Sequence, residues 1–226
     1  MTIRRGNVYV WVTWLSRLLV GDASCEWASW YKAHYSGYSK ASRDFSLSTW
    51  KMHHTRLLND VRDRLEAEGH TVTTERANWF KLQGGSGAMV AGQADLVAVS
   101  SDGQVTVYDV KTGAQRDSDV AQVMIYMYAL PLVAASPWAG KSSDGRVVYR
   151  DGTEIHIPST AIDDDFRDGL HDLIRRVVSD EPARRVPSPP ECNWCDLTDL
   201  DCPERIDSDL SGDLEGSFRK ARRLDF

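Results

Sequence analysis

Apolar positions recur along this chain in two rhythms, one helical and one alternating. From Ser46 to Gly69, the positions Trp50, His54, Leu57, Leu58, Val61 and Leu65 advance by about 100° per residue onto one face. That stretch predicts an amphipathic helix with Ser48 or Thr49 as cap and Gly69 as stop. The aromatic-rich segment Val8 to Tyr35, with Cys25 inside it, reads as one or two further helices. Asp119 to Val133 and Asp163 to Ser179 carry the same period. The other rhythm marks strands. His70 to Leu82 has a strand pattern, followed by a turn at Gly84-Gly85-Ser86-Gly87. Ala88–Val99 and Gln104–Lys111 are apolar and β-branched, and Ser101-Asp102-Gly103 between them signals a hairpin. Arg150-Asp151-Gly152-Thr153 signals another between Arg146–Tyr149 and Glu154–Ile157.

This alternation of elements predicts an α/β fold, a small mixed central sheet flanked by helices with the functional site at one sheet end. Glu181–Pro190 holds four prolines and reads as an extended linker. It sets off a C-terminal part, so the chain divides into 1–45 (helical, with the first cysteine), 46–180 (core) and 181–226 (linker, cysteine segment and tail). No internal repeat is present. The 226 residues carry 42% hydrophobic and 27% charged side chains, ordinary for one soluble globular core.

Charge narrows the function only mildly. The formal net charge of −6 is unlike that of a simple DNA-coating protein, but a metal-dependent enzyme must concentrate carboxylates. The apolar run Val8–Val20 is broken by Thr13, Ser16 and Arg17, too short and interrupted to span a bilayer. No signal peptide is expected, which points to a cytoplasmic, reducing location with no membrane partner. In that setting the four cysteines read as metal ligands rather than a disulfide framework. Cys192, Cys195 and Cys202 follow the pattern C-x2-C-x6-C, and Cys25 supplies a fourth thiolate if the two ends of the chain meet.

The chemistry-bearing residues lie between those cysteines. Asp95 ends Gly92-Gln93-Ala94-Asp95, and Asp109-Val110-Lys111 ends the next strand. A hairpin of that length brings two carboxylates to one end of a sheet, where they share a Mg2+ or Mn2+ ion, with the backbone carbonyl of Val110 as a further ligand. Lys111, two residues after Asp109, is on the same strand face, where an ammonium orients an attacking water and offsets charge on phosphate. Gln122 and Tyr126 stand one helical turn apart and face the same side. Each feature alone has a plainer explanation, because an isolated D-x-K is commonly a solvated strand end. Their order along the chain is what points to phosphodiester hydrolysis. Trp30, Tyr31 and Trp79 are candidates for stacking on unpaired bases. Arg43, Lys51, Arg56 and the cluster Arg219–Arg223 are candidates for backbone phosphates.

G-x-x-D, D-x-K and Q-x-x-x-Y together resemble the PD-(D/E)XK nuclease superfamily, and with the cysteines its RecB-like iron–sulfur exonucleases. That group includes CRISPR-associated adaptation nucleases, AddB-type nuclease domains and phage relatives. The resemblance spans roughly Cys25 to Cys202. It implies a metal-dependent DNA exonuclease acting on ends or single strands, with Asp95 and Asp109 as Mg2+ or Mn2+ ligands and Lys111 as the catalytic lysine. Gln122 and Tyr126 become the active-site helix pair, and a metal-binding histidine is expected on the preceding helix. His54 fits better than His53 because it shares the stripe with Leu58 and Val61, although the glycine of the family's G-x-x-x-H is missing. The resemblance also implies a 4Fe–4S cluster on Cys25, Cys192, Cys195 and Cys202, although the last gap is one residue longer than the family's. Spacing alone leaves zinc open. Recombination or CRISPR-adaptation proteins become conceivable partners, and an oligomer is compatible with the pattern. The alternatives are a non-catalytic metal-bearing DNA-binding or assembly subunit on the same scaffold, and an enzyme acting on RNA.

Overall fold

The structure is a computed structural model that describes residues 2–41, 46–134 and 136–206. Arg43 and Arg219–Arg223 lie outside the described residues. The chain starts with strands β1 (Ile3–Arg4) and β2 (Tyr9–Trp11), helices α1 (Val12–Leu19) and α2 (Trp27–His34), and strand β3 (Tyr35–Ser36). The long helix α3 (Leu47–Ala67) leads into β4 (Thr71–Thr74), β5 (Trp79–Gln83), β6 (Met89–Gln93), β7 (Leu96–Val99) and β8 (Val105–Lys111). Helix α4 (Asp117–Ala129) precedes the hairpin of β9 (Ser143–Tyr149) and β10 (Glu154–Ile157). Helix α5 (Asp164–Val178) and the single turn α6 (Pro189–Cys192) follow.

The result is a mixed α/β fold. Its larger sheet has the order β10-β9-β8-β7-β4 and is antiparallel except where β8 runs parallel to β9. A second sheet, β2-β6-β5, pairs β2 with β6 in parallel and β5 with β6 antiparallel. Strands β1 and β3 form a separate ladder. Side-chain alternation assigns the faces of β7 and β8. Leu96, Ala98, Tyr108 and Val110 turn toward Leu58, Val61 and Leu65 of α3, while Val97, Val105 and Val107 join Leu15 of α1 and Val123 and Met127 of α4. The same parity puts Asp109 and Lys111 on the α4 side.

Two glycines let α4 lie close to both sheets. A Cβ at Gly145 on β9 would stand 2.5 Å from Val123 Cγ1 and 2.5 Å from Met127 Sδ. A Cβ at Gly92 on β6 would stand 2.7 Å from Phe80 Cζ and 2.9 Å from Tyr126 Cε1. The glycine that opens the G-x-x-D pattern therefore makes room for the tyrosine that closes Q-x-x-x-Y.

Several sequence expectations are corrected. The Val8–Tyr35 stretch holds the strand Tyr9–Trp11 before its two helices, because parallel pairing with Met89–Ala91 draws this apolar run into a sheet. Cys25 lies in the connection ahead of α2 rather than within a helix. The cap of α3 is Ser46, whose Oγ accepts from the Thr49 N–H, not Ser48 or Thr49. The His70–Leu82 run is two strands in different sheets, broken by a 3-10 turn at Glu75–Asn78. Buried Asn78 makes that corner by donating to the carbonyls of Thr73 and Ala94. Ala88–Val99 likewise divides at Ala94-Asp95, where the chain leaves the second sheet for the first.

Among the described residues no helix is long and apolar enough to cross a membrane. Two substitutions check the packing of α4. Gly145→Ala and Gly92→Ala should each lower unfolding stability by about 1–3 kcal/mol through overpacking, read from denaturant midpoints. Replacing Phe80 by leucine should reduce the Gly92→Ala penalty, since touching residues are not additive. An unchanged midpoint in both glycine variants would contradict the close approach.

Candidate active site

Strand β8 ends by burying a carboxylate. Asp109 is 2% exposed and its Oδ1 accepts from Gln122 Nε2 at 2.9 Å. Its Oδ2 faces Lys111 Nζ at 2.7 Å but has no aligned hydrogen bond. Lys111 donates instead to Gln122 Oε1 at 3.1 Å, and Gln122 Nε2 also reaches the Tyr126 hydroxyl at 3.1 Å. One amide thus spaces the carboxylate, the ammonium and the phenol, possible because Gln122 and Tyr126 are one helical turn apart. Burial pushes the Asp109 carboxyl upward, with Lys111 opposing it. Burial also opposes the Lys111 charge, but Asp109, Asp119 and Asp95 outweigh it and hold that ammonium above its usual pKa. Burial raises the Tyr126 phenol well above its ordinary value, so the hydroxyl stays neutral.

Asp95 sits at the crossing from β6 to β7. Its carbonyl accepts from the Glu75 N–H at 2.9 Å, and its Oδ2 accepts from the Val110 N–H at 2.8 Å. The strand that carries Asp109 therefore also fixes the second carboxylate. His54 Nε2 on α3 stands 3.4 Å from the same Oδ2, and this contact holds the imidazole above its usual pKa. The Val110 side chain is buried beneath α3.

These residues line one cleft of about 770 Å³. Two further acids line it that the sequence reading did not single out. Asp119, in the first turn of α4, places Oδ1 3.7 Å from Lys111 Nζ and accepts from the Tyr149 hydroxyl through Oδ2 at 3.1 Å. Its position three residues before Gln122, on the same helix face, was the available signal, masked by the ordinary preference for acids at helix starts. Glu75 lines the cleft with φ of 31°, the one described non-glycine residue with positive φ. Backbone strain of this kind gathers at functional sites, and nothing in the local sequence announces it.

Other candidates separate from the cleft. Trp30 is core, its indole donating to the Ser179 carbonyl. The Tyr31 hydroxyl is bound to Asp201, and Trp79, although exposed on β5, is not among the cleft residues. None of these three lines the cleft. Lys51 lines it, whereas Arg56 borders a shallow neighbouring surface on α3.

All four cysteines line a second cavity of about 120 Å³, several times the space one water needs, and none is in a disulfide. Segments 24–40 and 191–205 meet here. Glu191 accepts from the N–H groups of Ser24 and Cys25, Lys40 bridges Leu197, and Arg205 donates to the carbonyls of Cys195 and Leu197. Burial raises the Cys195 and Cys202 thiols, and mutual repulsion with Cys25 adds to it.

Among the described residues no group of three or more His, Cys, Asp or Glu is arranged to hold a metal ion as it stands. The donor chemistry nonetheless fits one at the cleft. Asp109 Oδ2 is a buried acceptor without a hydrogen bond, and Asp95 is held beside it by Val110. The two carboxylates suit Mg2+ or Mn2+, and the His54 imidazole is the softer donor beside them.

No curated protein sequence matches this chain. Among solved structures, the crystal structure of SSO0001 is similar, at 18% sequence identity and a TM-score of 0.46, covering 90% of this chain and 89% of that one. The family model of the PD-(D/E)XK nuclease superfamily matches residues 22–201, a span that takes in Asp95, Asp109, Lys111, Gln122 and Tyr126 of the cleft together with Cys25, Cys192 and Cys195. On that match, this chain belongs to the PD-(D/E)XK nuclease superfamily.

Proposed function

We propose that this chain is a metal-dependent deoxyribonuclease acting on DNA ends or single strands. Members of its superfamily are generally nucleases and typically use Mg2+ or Mn2+. The observation that carries the reading is the buried Asp109 carboxylate, held between Lys111 and Gln122 in a cleft that also holds Asp95. Asp95 and Asp109 would hold the ion, with His54 and the carbonyl of Val110 completing its shell. Such an ion lowers the pKa of a bound water and offsets charge on the phosphate.

The chain's own groups supply the rest. Lys111 orients the attacking water and stabilises charge that develops on the phosphate oxygens. Gln122 keeps the lysine and Asp109 in register, and Tyr126 fixes the amide. Asp119 adds negative charge beside Lys111 and so favours its protonated form. Exonuclease action, and a setting in recombination, CRISPR adaptation or phage DNA processing, are supported by the sequence resemblance.

We also infer that Cys25, Cys192, Cys195 and Cys202 hold a structural 4Fe–4S cluster. Their common cavity supports this, as does the value of a clip that ties residues far apart in sequence. Zinc is the competing occupant, since both metals take four thiolates.

Two experiments test these readings. Labelled single-stranded and duplex DNA, incubated with Mn2+, should be cleaved by the wild type, with loss of about a hundredfold or more in rate in Lys111→Ala at unchanged circular dichroism. Binding without cleavage by the wild type would favour the assembly-subunit alternative, and cleavage of RNA alone would redirect the substrate. Anaerobic purification should give about four irons per chain with a broad visible absorption band. Cys195→Ala should lower solubility and stability more than chemistry. Zinc without iron, or unchanged stability in Cys195→Ala, would contradict the cluster.

A further inference from the structure

Trp194 lies inside the cysteine segment, between Cys192 and Cys195, yet it also lines the cleft that holds Asp95, Asp109 and Lys111. It is 61% exposed. Trp50, near the start of α3, lines the same cleft and is 39% exposed. The Trp50 ring rests against His54, with centroids 5.1 Å apart and planes tilted by 32°, and His54 in turn touches Asp95. An indole therefore rests against one proposed metal ligand, His54, and is one ring removed from another, Asp95. Lys51 and Arg116 line this cleft too.

Two partly exposed indoles that line the same concave, polar cleft are suited to contact a ligand there. Trp30 and Trp138 are buried, and of the exposed indoles Trp194, Trp50 and Trp79 the first two line this cleft. The formal net charge of −6 gives little long-range attraction for a polyanion, so stacking on the bases would add to the affinity that local cations supply. Exposed indoles beside two cations have the chemistry for that. In a duplex the base faces are closed by their neighbours except at the terminal pair, so an unpaired strand is what offers them to both rings.

We propose that Trp194 and Trp50 are stacking platforms for the bases of a single-stranded DNA end, with Lys51 and Arg116 meeting its phosphates as it enters the cleft. The inference rests on the nuclease reading of the same site. The turn that presents Cys192 and Cys195, closed by the N–H groups of Trp194 and Cys195 on Glu191 and Cys192, also presents Trp194. The cysteine segment thereby forms one side of the path for DNA as well as meeting segment 24–40.

The test is binding without cleavage, using the full chain with its native metal content and divalent ions withheld. Fluorescence anisotropy would follow a dye-labelled oligothymidine and, separately, a blunt-ended hairpin duplex. Trp194→Ala and Trp50→Ala should each weaken single-strand binding between about fivefold and a hundredfold. Duplex binding should change little, and Trp194→Phe should recover most of the loss. Iron and zinc content and circular dichroism of each variant separate lost stacking from a damaged fold, with Trp50→Ala independent of the cysteine segment. Wild-type affinity in both alanine variants would overturn the inference while leaving the nuclease reading intact. A wild type that binds neither DNA would overturn both.

Discussion

Asp109 places a carboxylate where almost no water reaches it, and the parts around it offset what that burial costs. An isolated buried carboxylate would simply take up a proton, because burial penalises its charge. Here Lys111 stands at 2.7 Å and Gln122 donates a hydrogen bond, so the charge has partners, yet one oxygen lacks an aligned donor. Such a pair adds little to stability, since desolvation of both ions opposes their attraction. What it provides is position. Lysine and carboxylate are consecutive same-face residues of one strand, locked by one amide from the helix above.

That lock requires α4 to lie close to both sheets, which explains features distant from the chemistry. Gly145 and Gly92 remove the two side chains that would hold the helix away. Strand β2, paired in parallel with β6, brings α1 against α4 from the other side. The second carboxylate depends on the same strand, because the Val110 N–H holds Asp95. Local sequence, sheet register and helix packing thus converge on a few ångströms around the end of β8.

The core of this arrangement was legible wherever spacing alone determines geometry. D-x-K must share a strand face, Q-x-x-x-Y must share a helix face, and the Ser101-Asp102-Gly103 hairpin set β7 against β8 in the expected way. Meeting of Cys25 with the late cysteines followed once a common ligand set was assumed. What escaped the reading depends on contacts between distant segments. Tyr9–Trp11 looks helical until its partner Met89–Ala91 is known, and the break at Glu75–Asn78 depends on Asn78 bridging two carbonyls. Asp119 resembled an ordinary helix-start acid. Trp194 was hidden by the cysteines on either side, and its place in the cleft emerges only when the C-terminal segment is folded back.

The central claim is that Asp95 and Asp109 form the metal site of a nuclease cleft. Anomalous scattering from crystals of the chain soaked with Mn2+ tests it most directly. The account predicts a Mn2+ peak at the end of β8 that the carboxylates of Asp95 and Asp109 would hold. A crystal in which Mn2+ at saturating concentration binds elsewhere and leaves this cleft without a peak would contradict it.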